Sequence, residues 1–575
     1  MSIGKWVQSA YIRNGLWACE FKTKNDWKKI EWPDYIMKVV GIYLQLKEIG
    51  FKNRLHVGLI SNTRWEWSVI DLAVMAGDGV MVPMYPNLSD DDLLYTINHS
   101  DIEILIVENE SILSQVDRLK SSFTKDIKIR LIHDFEFYPK ISDEDREAFF
   151  KIADSISNDS TATIIYTSGT TGRPKGVVLK HASIESEVVE GFELFNVKRN
   201  YKSLTFLPFA HVLGRLEHWG SLYNGHCVAY AESIEKVKQN LKEIKPDFLI
   251  AVPRIFEKVY AGILAQVETK KLKQVVFNQA METALEIQKY RTSKSTIPWP
   301  ILAKFELLNK LALEPIRSAF GGQLKFAISG GAPLDPQLTQ FFYNCGIPIL
   351  EGYGLSETCG AVTVNSLNHY LIGSVGKPIG EVKIKFAEDG EILVKSTKCL
   401  VEYYKNPEET QKVFKDGYFC TGDIGEFTTG GFLKITDRKK DLIKTAGGKY
   451  VAPQKLEGLL KQEPLISQVL IHGDQRKFII ALITFDPVQI EQWAKSQGIA
   501  YANLDELYQN IALKLRIQKH IQTVNAKLAS FEAIKKFEIL KDVWTVENGA
   551  LTQSMKVKRK YLESKYADLI NEIYD

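Results

Sequence analysis

Thr163-Ile-Ile-Tyr-Thr-Ser-Gly-Thr-Thr-Gly-Arg-Pro-Lys-Gly-Val-Val-Leu179 is the stretch from which the fold can be read. An apolar, β-prone run from Ala162 to Tyr166 reads as a buried strand, and Val177 to Leu179 reads as a second. Between them, Thr167 to Gly176 hold three glycines, four hydroxyls, one arginine and one lysine. Glycine lets the backbone turn tightly and approach a ligand. Hydroxyls and free N–H groups donate to phosphate oxygens, and Lys175 adds a point charge. By composition alone the segment suits a tight hairpin as well as an anion grip. It is not the nucleotide-hydrolase loop, in which the lysine is followed by Ser or Thr and leads into a helix. Here Lys175 precedes a glycine and a strand follows.

The bulk numbers narrow the class. A chain of 575 residues exceeds what one hydrophobic core usually supports, so two or more domains are expected. Lys and Arg total 73 against 70 Asp and Glu, a balance that gives no support to nucleic-acid binding. Six scattered cysteines with no C-x-x-C pair argue against metal or disulfide frameworks and fit a reducing, cytoplasmic compartment. The N-terminus lacks a secretory pattern. No run approaches the roughly 18 apolar residues of a membrane span. The nearest, Val69 to Tyr85, is broken by Asp71 and Asp78. Attachment to the inner face of a membrane stays open, as does the oligomeric state.

Outward from the central loop, short apolar runs alternate with helical segments. Residues 34–50 read as an amphipathic helix, and Leu55 to Ile60, Val80 to Tyr85 and Ile102 to Val107 read as strands. That alternation predicts a doubly wound α/β architecture. Residues 120–160 are polar and read as loops; 258–320 read as mostly helical, with apolar positions expected in the core. Strand-then-glycine patterns recur at Lys325 to Leu334 and Ile349 to Thr358. From about Gly373, glycines and short alternating strands predict a small β-rich subdomain. Lys434 to Lys449 is rich in charge and by itself reads as a solvated linker; Lys556, Lys558, Arg559 and Lys560 by themselves read as one face of a basic helix.

The order T-S-G-T-T-G-R-P-K-G resembles, residue for residue, the phosphate loop of the adenylate-forming superfamily of acyl-CoA synthetases, luciferases and peptide-synthetase adenylation domains. Four further segments resemble that family's motifs in the same order, from about residue 30 to 562. Phe248 to Tyr260 resembles the long-chain fatty acyl branch in particular. The resemblance implies a large N-terminal AMP-binding domain over 1–436, a hinge at 437–442 and a small mobile α+β lid over 443–575.

It also implies a reaction. A carboxylate attacks the α-phosphorus of ATP, pyrophosphate leaves, and a thiol captures the acyl-AMP. Such chemistry needs alignment and charge stabilisation, with no enzyme nucleophile. By resemblance, Thr167, Ser168, Gly169, Thr170, Thr171, Gly172 and Lys175 hold the phosphates of ATP, and Thr167 and Glu357 are ligands of Mg²⁺. Gly330, Gly331, Gly352, Tyr353 and Gly354 form the adenine wall, with Tyr353 stacked on the base, flanked by Ser356 and Thr358. Asp423 accepts from the ribose, with Arg438 nearby; Lys556 reaches the α-phosphate; Lys440 is the pivot; Gly447, Gly448 and Lys449 reach the coenzyme A channel. His211 and Arg215 lie at the entrance to the acyl pocket. Three departures stand out: Gln553 replaces a usual proline, Tyr418 a usual tryptophan, and Arg215 an aromatic gate of some relatives. Acyl carrier protein is the alternative acceptor. A non-catalytic lipid-binding or membrane-surface scaffold is the alternative class, disfavoured by Thr167, Lys175, Glu357, Asp423 and Lys556 together.

Overall fold

Two sheets built from the alternating runs sandwich helices between them. The computed structural model describes residues 2–24, 26–167, 173–267, 271–293, 295–439, 441–545, 548–552 and 556–575. The first sheet has the spatial order Lys128–Leu131, Ile104–Val107, His56–Ile60, Val80–Met84, β1 (Thr161–Thr167) and β2 (Lys175–Lys180). Its strands run parallel up to β1, and β2 turns back antiparallel with Thr167 opposite Lys175. The hairpin therefore carries both ends of the central loop to one sheet edge.

The second sheet has nine strands. Its parallel centre is flanked by two antiparallel pairings, Asp26–Glu31 on Trp17–Thr23 and Gly360–Val364 on Ile349–Leu355. Between the sheets lies the helix Trp65–Ala76, which buries eleven of its twelve residues. A helix apolar on all sides suits an interior layer or a membrane. Here it is the interior layer, which accounts for the apolar run at Val69. Helices α1 (His181–Phe195) and α2 (Val212–Asn224) pack on each other beside β2.

Two regions differ from the sequence reading. Residues 120–160 hold a strand, Lys128–Leu131, and a helix, Asp143–Ser155. That helix is capped by Ser142, whose Oγ accepts from Asp145 N, and it buries Phe149, Phe150 and Ala153. Those three positions carry a helical period that the surrounding charge obscures. In the region 258–320, the helices Lys271–Thr292 and α3 (Trp299–Leu308) are present as expected, but not all their apolar residues are internal. Leu272, Val275, Trp299, Leu302, Leu307 and Leu311 are exposed, Trp299 at 78 %.

Beyond β3 (Phe326–Ser329) and β4 (Ile349–Leu355), a five-stranded antiparallel sheet includes β5 (Tyr418–Phe427) and β6 (Leu433–Arg438). The charged run at 434–449 is thus largely structured: β6, then a short hairpin of Ile443–Lys444 with Tyr450–Val451. The C-terminal region has its own three-stranded sheet, Ile466–His472, Ile479–Phe485 and Ile534–Ile539. Val469, Ile471, Ala481 and Ile483 face one buried cluster, and Leu470, Ile480 and Leu482 face another. Period-two alternation with both faces apolar is what a sheet covered on both sides requires. Lys556 precedes the helix Arg559–Lys565 and does not lie on it.

Candidate active site

The strand termini converge on one cavity of about 1500 Å³. Thr167 and Lys175 line it from the ends of β1 and β2. Ser168, Gly169, Thr170, Thr171 and Gly172 lie outside the described residues, as does Lys440. Gly330 and Gly331 line it after β3, and Gly352 and Gly354 line it on β4. A Cβ on Gly354 would stand 1.6 Å from the Gly360 carbonyl oxygen, so the β4 hairpin requires glycine there. Ser356 and Glu357 follow at the same wall.

Glu357 is held by Tyr403, whose hydroxyl donates to its Oε1 at 2.9 Å. The Tyr403 ring also lies under the Lys175 ammonium, 5.0 Å from centroid to nitrogen. Lys175 itself forms an ion pair with Glu409. Tyr403 and Glu409 both line the cavity, and neither stands in a recognisable motif. Thr358 is buried and serves the turn, its Oγ1 accepting from Leu355 N and donating to the Gly360 carbonyl, both at 2.8 Å.

Tyr353 and Asp423 sit just behind the wall. The Tyr353 hydroxyl donates to Asp423 Oδ2 at 2.7 Å, and Arg438 Nε lies 3.3 Å from Oδ1. Burial pushes the Asp423 carboxyl up, against the pulls of Arg438, Tyr353 and Lys556. In this arrangement Tyr353 is a clasp on the carboxylate and its ring packs with Val362 and Val382. Arg438 reaches the cavity directly.

From the C-terminal region, Gly549, Thr552 and Lys556 close over the same space. Lys556 projects into the open volume, so it keeps solvent-accessible surface while protein crowds around it. Burial and the Arg438 charge lower its pKa, opposed by Asp423, Asp441 and Glu357. Lys556 thus lies in the combined field of the Arg438 cation and those three carboxylates. The Gly447-Gly448-Lys449 turn is exposed and stands apart from the cavity, closed by Gly448 N on the Thr445 carbonyl at 2.8 Å.

His211 lines the cavity and caps α2, its Nδ1 accepting from Leu213 N at 3.2 Å. Burial and the Lys556 charge push it down to about 4, so the imidazole is neutral at pH 7. Arg215, expected beside it at the pocket entrance, is elsewhere: fully buried in the layer between the sheets. Its guanidinium donates to Asp71 Oδ1 at 2.5 Å and Thr163 Oγ1 at 2.8 Å, and it lies 4.4 Å from the Trp219 ring centroid. The physical reason is that His211 is the N-cap of α2, with extended backbone (φ −103°, ψ 138°), so it does not share the face that a four-residue spacing within a helix would give. Arg215, inside the helix, meets Asp71 of the Trp65–Ala76 helix. Only the tertiary partner identifies the face Arg215 takes.

An apolar part of the lining comes from Val188, Gly191, Phe192 and Phe195 of α1, with Leu216, Ile250 and Ile328. Positions 188, 191, 192 and 195 form one helical face. One cavity thus joins a cationic, hydroxyl-rich part to an apolar part. It can hold a charged head group and an aliphatic tail together.

Comparison with known proteins agrees with this geometry. The AMP-binding enzyme family model matches residues 38–404, and the AMP-binding enzyme C-terminal domain model matches residues 440–575. Long-chain-fatty-acid–CoA ligase FadD15 of Mycobacterium tuberculosis is 34% identical over 560 residues, covering 96% of this chain and 93% of the relative. The peroxisomal long chain acyl-CoA synthetase 6 of Arabidopsis thaliana is 31% identical, covering 90% and 77%. Among solved structures, the adenylation domain of a carboxylate reductase from Mycobacterium chelonae superposes with a TM-score of 0.75 at 22% identity, over 100% of this chain and 91% of that one. The o-succinylbenzoate CoA synthetase of Bacillus subtilis, bound to its acyl-adenylate, gives 0.69 at 18%, over 97% of each.

Proposed function

The chain belongs to the AMP-binding enzyme family, and from that premise we propose that it is a long-chain fatty acid–CoA ligase that works through an acyl-AMP. The observation that carries this reading is the single cavity shared by Lys175, Glu357, Arg438, Lys556 and the apolar face of α1. In the first step a fatty carboxylate oxygen bonds to the α-phosphorus as the bond to pyrophosphate breaks. In the second, the coenzyme A thiol loses its proton, its sulfur bonds to the acyl carbon, and AMP departs.

The chain's own residues align and neutralise. Lys175 and the neighbouring loop receive the outer phosphates once the Glu409 pair opens. Lys556 meets the charge growing on the α-phosphate, and neutral His211 offers a hydrogen bond beside the incoming carboxylate. Asp423, set by Tyr353 and Arg438, accepts from the ribose. Thr167 and Glu357 supply a hydroxyl and a carboxylate, hard oxygens that suit Mg²⁺ alongside phosphate and water oxygens. Among the described residues no cluster of three acidic, histidine or cysteine ligands exists. That ion shields phosphate charge when bound. Glu357→Gln then raises the Mg²⁺ concentration needed for half-maximal rate, and an unchanged titration removes Glu357 from the metal site.

With Lys556 facing the cavity and Gly447–Lys449 exposed, the arrangement matches the first step. We place the pivot in residues 437–442, between 1–436 and 443–575, where rotation brings the glycine turn to the thiol channel for the second. The primary assay is ATP–pyrophosphate exchange dependent on fatty acid. Thioester formation with coenzyme A and with acyl carrier protein, compared side by side, then assigns the acceptor. No exchange with any carboxylic acid favours the scaffold reading instead.

We also read the exposed face of α3 as a contact for an anionic lipid surface. Trp299, Leu302 and Leu307 are exposed there beside Lys304, and Leu311 and Lys310 are exposed on the π-helical turn Asn309–Leu313 that follows. Residues 271–317 contain eight Lys and Arg against four Glu, while the whole chain nets only +3. Apolar residues with flanking cations suit the headgroup boundary. Among the described residues no helix is long and apolar enough to cross a membrane.

A further inference from the structure

Glycine in the middle of a helix costs about 1 kcal/mol relative to alanine and needs a local reason. For buried helical glycines in this chain the reason is a close neighbour. A Cβ on Gly41 would stand 2.4 Å from the Pro139 ring, on Gly214 2.6 Å from the Pro208 carbonyl oxygen, and on Gly220 1.9 Å from the Phe192 ring. Gly191, in the middle of α1, is different. It is buried, yet a Cβ built there would have no atom within 4 Å. Buried and open are compatible only where the residue faces internal space, and Gly191 lines the cavity.

The surroundings keep that space open. The adjacent Phe192 ring is drawn against Gly220 and stacks on His226 at 5.4 Å and 17°, so it is held to the α2 side. Val188 and Phe195 continue the apolar face on either side. Glu187, the acidic residue of this wall, is engaged by Ala361 N at 2.8 Å and by Lys398 at 3.0 Å. The space beside Gly191 is therefore bounded by hydrocarbon and by a neutralised carboxylate.

We propose that Gly191 sets the usable depth of the acyl site: its missing side chain is the room taken by the distal methylenes of a long fatty chain. This rests on the acyl-activating reading and adds the residue that selects for length. Each methylene denied apolar contact weakens binding about fourfold, the ratio equivalent to about 0.8 kcal/mol. A side chain at 191 penalises only chains long enough to reach it.

The test uses the full-length enzyme with hexanoate, octanoate, dodecanoate and palmitate, each assayed by pyrophosphate exchange and by thioester formation. Gly191→Ala, which favours the helix and adds one methyl, should lower palmitate kcat/KM severalfold. Gly191→Leu should lower it at least tenfold, leaving hexanoate within about twofold and the KM for ATP unchanged. A shift of the optimum to shorter chains, graded from Ala to Leu, supports the proposal. A wild-type profile retained in both variants, or an equal loss at every length, overturns it. If the wild type activates none of these acids, the functional reading itself falls and this inference with it.

Discussion

Lys175 and Glu409, 234 residues apart in sequence, form an ion pair across the nucleotide cavity. On the proposed reading of Lys175 as a phosphate ligand, that lysine is already engaged, and nucleotide would have to take it from a carboxylate. Lys175 and Lys412 hold the Glu409 carboxyl down to about 2, so the competitor is ionised at any working pH. Glu409→Gln should lower the KM for ATP up to about fivefold, the scale of a partly exposed pair, with the fatty acid KM unmoved. Initial rates against ATP concentration check it; a raised ATP KM would make Glu409 a helper rather than a competitor.

Lys556→Ala should lower acyl-adenylate formation by roughly 10²–10³-fold, the loss expected for one preorganised charge donor. Thioester formation from pre-made acyl-AMP should be spared, because the proposed rotation of the lid would carry Lys556 away for the second step. Equal damage to both half-reactions would refute the role assigned to Lys556.

Arg215 should matter to stability and not to acyl selection. Its partner Asp71 is wholly buried, and removing one member of a buried pair leaves an unpaired charge at a cost of about 3–5 kcal/mol. Arg215→Met should show that loss in urea unfolding. The acyl-length profile of the folded fraction should match the wild type.

His226 and His181 should each lose their stabilising contribution on the acid side. Burial pushes His226 down to about 3 and His181 down to about 4, from an ordinary 6.5. Both are neutral in the native state and bind protons on unfolding. Each contribution is complete above pH 6.5 and is lost as pH falls from there toward the native value. Glu217, pushed up to about 7 by burial, acts oppositely and loses its contribution as pH rises from about 4.5 to 7. The histidines thus give the melting temperature a downward slope from pH 6.5 to 4.5, to which His211 adds, while Glu351 and Asp437, pushed up to about 8 and about 6 by burial, act with Glu217 against it. His226→Gln should flatten that slope, which thermal scans across this range would measure.

Replacing Trp299 and Leu307 together by alanine should reduce sedimentation with phosphatidylglycerol vesicles, and Lys304→Glu should weaken binding at low salt and lower its sensitivity to salt. Turnover of a detergent-dispersed substrate should be unaffected. Undiminished sedimentation in both variants would remove α3 from the membrane contact.

The sequence by itself determined the strand pair around Thr167 and Lys175, the glycine turns after β3 and β4, and the membership of the whole chain in one family. These are short-range facts: a β-prone run, a turn that only glycine permits, a run of hydroxyls. The helix at 143–155 was also present locally, at Phe149, Phe150 and Ala153, but its charged surface hid the period. Only the tertiary structure decided the partners. Arg215 belongs to Asp71, Lys175 to Glu409, and Tyr353 to Asp423, each pair far apart in sequence within the large N-terminal region. The open space beside Gly191 likewise depends on where Phe192 and Gly220 meet. A side chain's partner depends on which helix face and which strand order bring it close, and contacts formed across long stretches of chain leave no local pattern to read.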